Sequence, residues 1–202
     1  MIVAALVVAG SGGTAPRLEA QAPSPLGRRP RIVWRAEVGA AASTPLVEDG
    51  NGVTVRRGIG PLAGADALIA IDRRSAVLVT VRAASGTLGV RSSGRRWSAG
   101  ASHQFDLAVK LERALPAAIV AAVGVALSHL RGAADVVPFR TGSGSITTWS
   151  TEATLARRLS SSRPIDGVLS GDILRIAGQA RESPELAAGW VGRVRLGLRY
   201  AR

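Results

Sequence analysis

Cysteine is absent from this 202-residue chain, so disulfide bonds, thiolate metal sites and a cysteine nucleophile are excluded. Histidine is nearly absent: His103 and His129 are the only two, and their spacing is not that of a zinc-ligand pair. Aromatic residues make up only 3% of the chain, although 47% of it is hydrophobic. We therefore predict no metal and no cofactor, and a core of small and branched aliphatic side chains, which favours β-strands.

Lysine is also nearly absent, because Lys110 is the only one, and arginine carries almost all of the positive charge. The chain has 26 basic and 14 acidic residues and a formal net charge of +12. A GC-rich genome that replaces lysine by arginine explains the choice of residue but not the excess of charge. The excess predicts an acidic partner, since a guanidinium group is well suited to phosphate.

The N-terminal part of the chain differs from the rest. Residues 1–10 form an apolar run that is far shorter than the roughly 20 residues of a transmembrane helix. Residues 11–30 are rich in Gly, Ser and Pro, which excludes a long helix. The AQA sequence at 20–22 resembles a signal-peptide cleavage site and leaves a secreted form open. We predict an apolar N-terminal strand and arm over residues 1–30 and one β-rich domain over residues 31–202.

Short strands with polar turns are predicted through the β-rich domain. Residues 67–82 indicate a hairpin around a polar turn at 72–75. Residues 103–113 alternate strictly between apolar and other side chains, which is typical of a half-buried strand. The overall prediction is a mainly β fold, an antiparallel β-sandwich or barrel, with a jelly roll as one arrangement of it.

Two segments predict helices within this β-rich domain. Residues 117–127 are apolar nearly all round and follow Pro116, so we expect a buried helix there. A buried strand pair broken at Gly124 is the alternative. Residues 151–159 predict a second, short helix capped by Ser150.

The C-terminal strand has the clearest pattern in the chain, because apolar and basic residues alternate along it. We interpret its apolar side as a core face and its arginine side as an exposed cationic face. The apolar residues are Trp190, Val194, Leu196, Leu198 and Tyr200, and the basic ones are Arg193, Arg195 and Arg199.

Motifs for catalysis are weak. The glycines at 10–15 match a dinucleotide-binding turn, but the prolines that follow leave little room for the helix that the turn requires. The sequence GSGS at 142–145 lacks the spacing of a nucleophile elbow. Sets of Ser, His and Asp arise by chance in a chain so rich in serine. We predict no catalytic residue and no enzymatic activity.

The arm, the excess of arginine and the lack of a site favour a structural subunit of a large assembly, such as a virus or phage capsid, shell or tail protein. Its predicted partners are copies of itself or other subunits, and its predicted location is a virion or other large particle, or otherwise the cytoplasm. The arm residues expected to add to a neighbouring sheet are Ile2, Val3, Leu6, Val7 and Val8.

Two other functions stay open at this point. One is a basic component of a ribonucleoprotein particle that binds RNA or DNA through phosphates. The other is a small hydrolase, which ranks last. The residues expected to contact a polyanion are Arg28, Arg29, Arg31, Arg95, Arg96, Arg193, Arg195 and Arg199.

Overall fold

A computed structural model of the chain describes residues 32–48, 52–133, 144–176 and 189–201. These residues form ten antiparallel β-strands and no helix. None of the described segments is a helix long and apolar enough to cross a membrane. The strands are β1 (Ile32–Ser43), β2 (Val47–Glu48), β3 (Thr54–Arg57), β4 (Gly60–Ala70), β5 (Ser75–Ser92), β6 (Arg95–Leu115), β7 (Ile119–Arg131), β8 (Ser145–Arg158), β9 (Ile165–Ile176) and β10 (Gly189–Ala201).

The sheet closes on itself as a ring. Each strand from β4 to β10 pairs with the next along the chain, and β1 joins β10 to β4. Strands β1 and β4 to β10 therefore form an eight-stranded barrel, and the short β3 pairs with the upper part of β5 beyond β4. A barrel is thus the correct part of the fold prediction. The sandwich and jelly-roll alternatives are wrong, because the ring has no second sheet.

The strands tilt strongly in this ring. Following the strand register once around it, Ile32 of β1 leads back to Ala42 of the same strand, a displacement of ten residues. With a rise of about 3.3 Å per residue and a spacing of about 4.8 Å between strands, this displacement gives a tilt of about 40°. An interior of this size is filled by side chains.

The two ends of the barrel differ in their connections. At the end that carries Ile32 and Ala201, here called the terminal end, the strands are joined by residues 71–74, 116–118 and 159–164. At the opposite end, here called the loop end, β7 and β8 are separated in the sequence by residues 132–144, and β9 and β10 by residues 177–188.

One loop-end connection is short. Strands β5 and β6 are joined by Ser93 and Gly94, whose φ angles are 47° and 78°. Positive φ at both central residues is the requirement of a type I′ hairpin turn. The long β5–β6 hairpin consequently rises above the rest of the barrel at this end.

The predicted buried helix at 117–127 is wrong. Residues 116–118 form a turn, and strand β7 begins at Ile119. The segment looked apolar all round because its outward side chains, such as Val123 and Val125, alternate with small inward ones, such as Ala122 and Ala126. A period of two is hidden when both faces are apolar.

The second predicted helix, at 151–159, is also wrong, since β8 continues to Arg158. In this strand Glu152 is inward and Leu155 is outward. Thr and Ala residues lie between them on both faces, and the pattern suits a strand with one polar face. The predicted strand at 103–113 and the hairpin around residues 72–75 are confirmed as parts of β4, β5 and β6. The predicted arm, with Ile2, Val3, Leu6, Val7 and Val8, lies outside the described residues.

Candidate functional site

The outer wall of the barrel is apolar. Strand β6 presents Phe105, Leu107, Val109 and Leu111 outward, each about half exposed. The same is true of the outward positions of the neighbouring strands, so the exposed apolar side chains form a continuous belt. Single exposed apolar residues are ordinary on a water-soluble protein, but a belt around the whole molecule is not. Members of the belt on other strands are Val38, Val81, Val123, Val125, Leu155, Leu169, Ile173, Val194, Leu196 and Leu198.

Aromatic side chains lie at both edges of this belt. Trp34 and Tyr200 are close to the terminal end of β1 and β10, whereas Trp149 and Trp190 are close to the loop end of β8 and β10. All four are at least half exposed. Amphipathic rings collect where an apolar layer meets water, so their positions mark the two boundaries of such a layer.

Strand β10 gives the height of the belt. Trp190 and Tyr200 are ten residues apart, with Val194, Leu196 and Leu198 on the same face between them. At about 3.3 Å per residue and a tilt of about 40°, this separation corresponds to about 25 Å along the barrel axis. The apolar band of an outer-membrane barrel has about this height.

The interior of the barrel is charged, in contrast to the outer wall. Seven cationic and seven anionic side chains are buried among the described residues, so this set is electrically neutral. The 19 basic and 7 acidic residues that remain in the chain carry its whole net charge of +12. The buried cations are Arg35, Arg57, Arg82, Lys110, Arg193, Arg195 and Arg199, and the buried anions are Glu37, Asp66, Asp106, Glu112, Glu152, Asp166 and Asp172.

Glu152 of β8 is the centre of the middle layer of the interior. Its Oε1 lies 2.6 Å from Nη1 of Arg82 and 2.9 Å from Nζ of Lys110. Arg82 also donates to Oε2 of Glu37 at 3.1 Å, and Thr154 donates to Glu152 at 3.2 Å. Two cations therefore share one carboxylate in a fully buried site.

The layer nearer the loop end is built around two carboxylates. Arg193 binds Asp172 through two guanidinium nitrogens and reaches Asp106 at 3.2 Å. Arg195 lies 3.0 Å from Asp106 and 2.9 Å from Asp172. Arg57 makes no ion pair with a described carboxylate but donates to Gln104 at 3.0 Å, and Gln104 in turn donates to Asp106 at 2.6 Å.

The layer nearer the terminal end depends on Glu112. Arg35 donates to both of its oxygens, at 2.9 and 2.8 Å, and Arg199 lies 3.5 Å away. Arg199 also approaches Asp66 at 3.7 Å and Asp166 at 3.4 Å. The three arginines of β10 thus each contribute to the interior, and two of the three layers are joined through Arg195, which lies 3.8 Å from Glu152.

Apolar side chains close the interior above the charged layers. They come from strands all around the ring and meet at the loop end, where they are almost fully buried. With this plug in place, the charged layers are not part of a wide aqueous channel through the described structure. The plug consists of Leu46, Val55, Leu88, Val90, Leu130, Leu174, Ile176 and Val191.

Strand β7 makes room for the long interior side chains. Its inward residues are small, and a Cβ on Gly124 would lie 2.6 Å from Cα and 2.8 Å from Cγ of Lys110 and would clash with the carbonyl oxygen of Val109. Glycine is therefore required where Lys110 passes. Local sequence does not indicate this role, because the partner is a residue of another strand.

Both rims of the barrel are basic. At the loop end, Arg56, Arg91, Arg95 and Arg96 are exposed, and none of them makes an ion pair with a described carboxylate. At the terminal end, exposed arginines lie in the turns at 71–74 and 159–164. In the first of these turns, the backbone N–H of Arg74, and then that of Ser75, donates to Asp72, which holds the pKa of that carboxyl below its usual range.

The predicted polyanion contacts are placed very differently by the structure. Arg193, Arg195 and Arg199 lie in the interior and not on an exposed face, so the assignment of the two faces of the C-terminal strand is wrong. Arg95 and Arg96 are exposed at the loop end, and contact with a polyanion there stays a prediction. Arg28, Arg29 and Arg31 lie outside the described residues.

A signal for the interior was present in the sequence. The buried acids occur singly at inward positions of the strands, for example Asp106 and Glu112 on β6 and Glu152 on β8. On a soluble barrel such residues would face water. Their number among the described residues equals that of the buried cations.

No protein-family model and no curated protein sequence matches this chain. One solved structure similar to it is the outer membrane protein OprG from Pseudomonas aeruginosa, at 10% identity and a TM-score of 0.47, over 86% of this chain and 97% of that chain. Another is the NanC porin, at 9% identity and a TM-score of 0.29, over 84% of this chain and 98% of that chain. Neither name is that of an enzyme.

The prediction of a virus or phage shell or tail protein, located in a virion or in the cytoplasm, is wrong. The described barrel has its apolar face outside and its charged face inside, whereas a shell subunit in water needs the reverse. The two solved structures named above are an outer membrane protein and a porin, and neither is a shell protein. The predicted shell copies and nucleic acid are therefore corrected as partners as well.

Proposed function

We propose that this chain is a non-enzymatic integral β-barrel of a bacterial outer membrane, held in the bilayer by its apolar outer wall. The observation that carries the proposal is that the barrel has an apolar outer wall and a charged interior, the reverse of a water-soluble barrel. An apolar belt about 25 Å high, with aromatic residues at both edges, surrounds an interior of paired charges. A closed ring also leaves no sheet edge with unpaired backbone groups, which a lipid environment requires.

The direction of the chain supports the same proposal. Single-chain outer-membrane barrels have an even number of strands, short turns at one end and longer loops at the other. This barrel has eight strands in its ring, with both ends of the described chain on the side of the short turns. We infer that the terminal end faces the periplasm and that the loop end faces outward.

The filled interior limits what the barrel does in the membrane. The charged layers and the plug leave Glu152, Leu88 and Leu174 with no exposed surface. We therefore propose a membrane-embedded scaffold that presents its loop end, and not a wide diffusion pore. In a planar bilayer, the purified chain is expected to give no conductance of the size that a large porin produces.

The test of the proposal uses the full chain folded into closed phosphatidylcholine vesicles and treated with trypsin, which cuts after arginine. The two rims carry exposed arginines, for example Arg95 at the loop end and Arg73 at the terminal end. If the chain spans the bilayer, no single molecule is cut at both rims until the vesicles are opened by detergent. Intact mass measurement of the products counts the rims that are cut in each molecule.

The opened vesicles are the matched control, because both rims must then become accessible. Circular dichroism before the digestion shows whether the strands have formed. Cleavage at both rims in closed vesicles, with the strands formed, would show a protein that lies outside the bilayer and would contradict the proposal.

A further inference from the structure

The loop end carries a recess that is separate from the ion pairs of the barrel interior. Its volume is about 470 Å³, and it lies on the outer side of β3, β5 and β6. Three of the residues that line it are Arg56, Arg91 and Arg96, and no carboxylate among the described residues lines it. Trp97 lies opposite the buried Val90, so its side chain belongs to the other face of the β5–β6 hairpin.

The strand register brings these arginines together. Arg91 of β5 lies directly opposite Arg96 of β6, and Arg56 of β3 lies opposite Gly89, two residues before Arg91. Like charges directly opposite each other on adjacent strands are destabilising unless an anion lies between them. Glu48 is in the same row, two strands from Arg91, and makes no ion pair with any of the three.

Gly89 leaves the floor of the recess open. A Cβ on Gly89 would meet nothing closer than the carbonyl oxygen of Arg56, at 4.0 Å. The position therefore has space for a group held between the arginines. Three guanidinium groups around an open floor suit a phosphate, which accepts paired N–H donors from arginine.

The height of the recess above the apolar belt indicates which kind of molecule carries the phosphate. Counting strand rise and tilt from the level of Trp190, Arg56 lies about 1 Å and Arg91 and Arg96 lie about 9 to 12 Å above the edge of the apolar belt. The head-group layer of a bilayer is about 5 to 8 Å thick on each side. A phosphate there belongs to a lipid with a large head group that stands above the bilayer edge.

We propose that this recess, defined by Arg56, Arg91, Arg96 and Gly89, binds the phosphorylated head group of an anionic glycolipid in the outer leaflet. The inference rests on the proposed membrane insertion, which places the recess at the level of the head groups. The arginines bind the phosphate, and the space above Gly89 receives it.

The test follows the reaction of each arginine with an arginine-specific dicarbonyl reagent, by peptide mass spectrometry. The full chain is folded in neutral detergent micelles alone, with bis-phosphorylated lipid A, or with inorganic phosphate at the same phosphate concentration. We expect lipid A to slow the reaction of Arg56, Arg91 and Arg96 by about tenfold or more, in line with the usual attraction of clustered arginines to anionic lipid. Inorganic phosphate is expected to change it little.

Three other exposed arginines, Arg73, Arg74 and Arg163 at the terminal end, are the control within the same molecule. Their reaction should change less than twofold with lipid A. Equal protection at both rims would show attraction to charge without a site, and equal protection by inorganic phosphate would assign the recess to free phosphate. Either result overturns the proposal.

Two variants separate charge from shape. Gly89→Val fills the floor without changing the charge and should abolish the protection of Arg56. Arg56→Gln/Arg91→Gln/Arg96→Gln should weaken binding of lipid A, measured by native mass spectrometry, whereas Arg73→Gln/Arg74→Gln/Arg163→Gln should not. Circular dichroism verifies the barrel in each case. An intact barrel without protection rejects the recess and leaves membrane insertion standing, whereas a chain that fails the trypsin test rejects insertion itself.

Discussion

The two faces of strand β10 have opposite surroundings. Leu196 is 67% exposed on the outer wall, whereas its neighbour Arg195 is 1% exposed among carboxylates. On a water-soluble barrel the exposures would be reversed. The comparison teaches that alternation along a strand shows that a sheet has two unlike faces, but not which of them is inside.

What decides the direction is the pairing of charge. The interior arginines of β10 meet acids from β6, β8 and β9, so each of these arginines has an anionic partner where it leaves water. The belt of the outer wall consists of aliphatic side chains. The inside and outside of the barrel therefore differ in what happens when one residue is changed.

The largest effect is expected inside, at Glu152. The change Glu152→Gln leaves Arg82 and Lys110 without their shared carboxylate in a buried site. Removal of one partner of a buried ion pair costs about 3–5 kcal/mol. Urea unfolding of the chain in phosphatidylcholine vesicles measures the loss in the free energy of unfolding.

The control for this change removes a cation as well. In Glu152→Gln/Lys110→Met one unpaired charge is eliminated, and Arg82 keeps Glu37, so part of the loss should be recovered. If Glu152→Gln unfolds at the same urea concentration as the unchanged chain, the interior is hydrated and the charged layers do not stabilise the barrel.

The second effect is expected on the outer wall. Leu196→Arg places a charge near the middle of the belt, where arginine in an outer-membrane barrel costs about 2–4 kcal/mol. Ile71→Arg is the matched control, because Ile71 is 60% exposed but lies in a turn at the terminal end. The same urea titration should show little change for this variant. Equal tolerance of both substitutions would mean that water, and not lipid, covers the belt.

The smallest effect is expected at the rim, at Asp72. Because the folded protein lowers the pKa of Asp72, the hydrogen bonds from Arg74 and Ser75 contribute stability above the unfolded pKa of about 3.9. That contribution is lost as the pH falls through the lower, folded pKa. The difference in unfolding midpoint between the unchanged chain and Asp72→Ala should therefore disappear on acidification. A difference that is constant with pH would contradict this.

Much of the strand pattern follows from the sequence, and the strands around Phe105 and Leu198 were predicted from alternation alone. The helices at 117–127 and 151–159 were not predicted correctly, because small inward residues such as Ala122 remove the contrast between faces. Gly124 is small for a reason that lies on another strand, because a Cβ there would clash with Lys110. Local sequence carries no record of such a contact.

The candidate site could be predicted only in part. Arg95 and Arg96 were predicted to contact a polyanion, but Arg56 and Gly89 join them only through the strand register. The acids at inward positions of the strands, equal in number to the buried cations, indicate which face of the sheet is inside.

The paired interior also has a consequence for how the chain folds. The ion pairs join residues far apart in sequence: Arg35 with Glu112 over 77 positions, and Arg195 with Asp106 over 89. In a partly formed sheet, arginines and acids from strands that are not yet adjacent would be unpaired. Removal of these unpaired charges from water would be too costly for the sheet to enter an apolar environment. Only closure of the ring neutralises them, so, under the proposed membrane insertion, we expect entry into the bilayer and completion of the barrel to be one cooperative event, with no stable half-barrel between them.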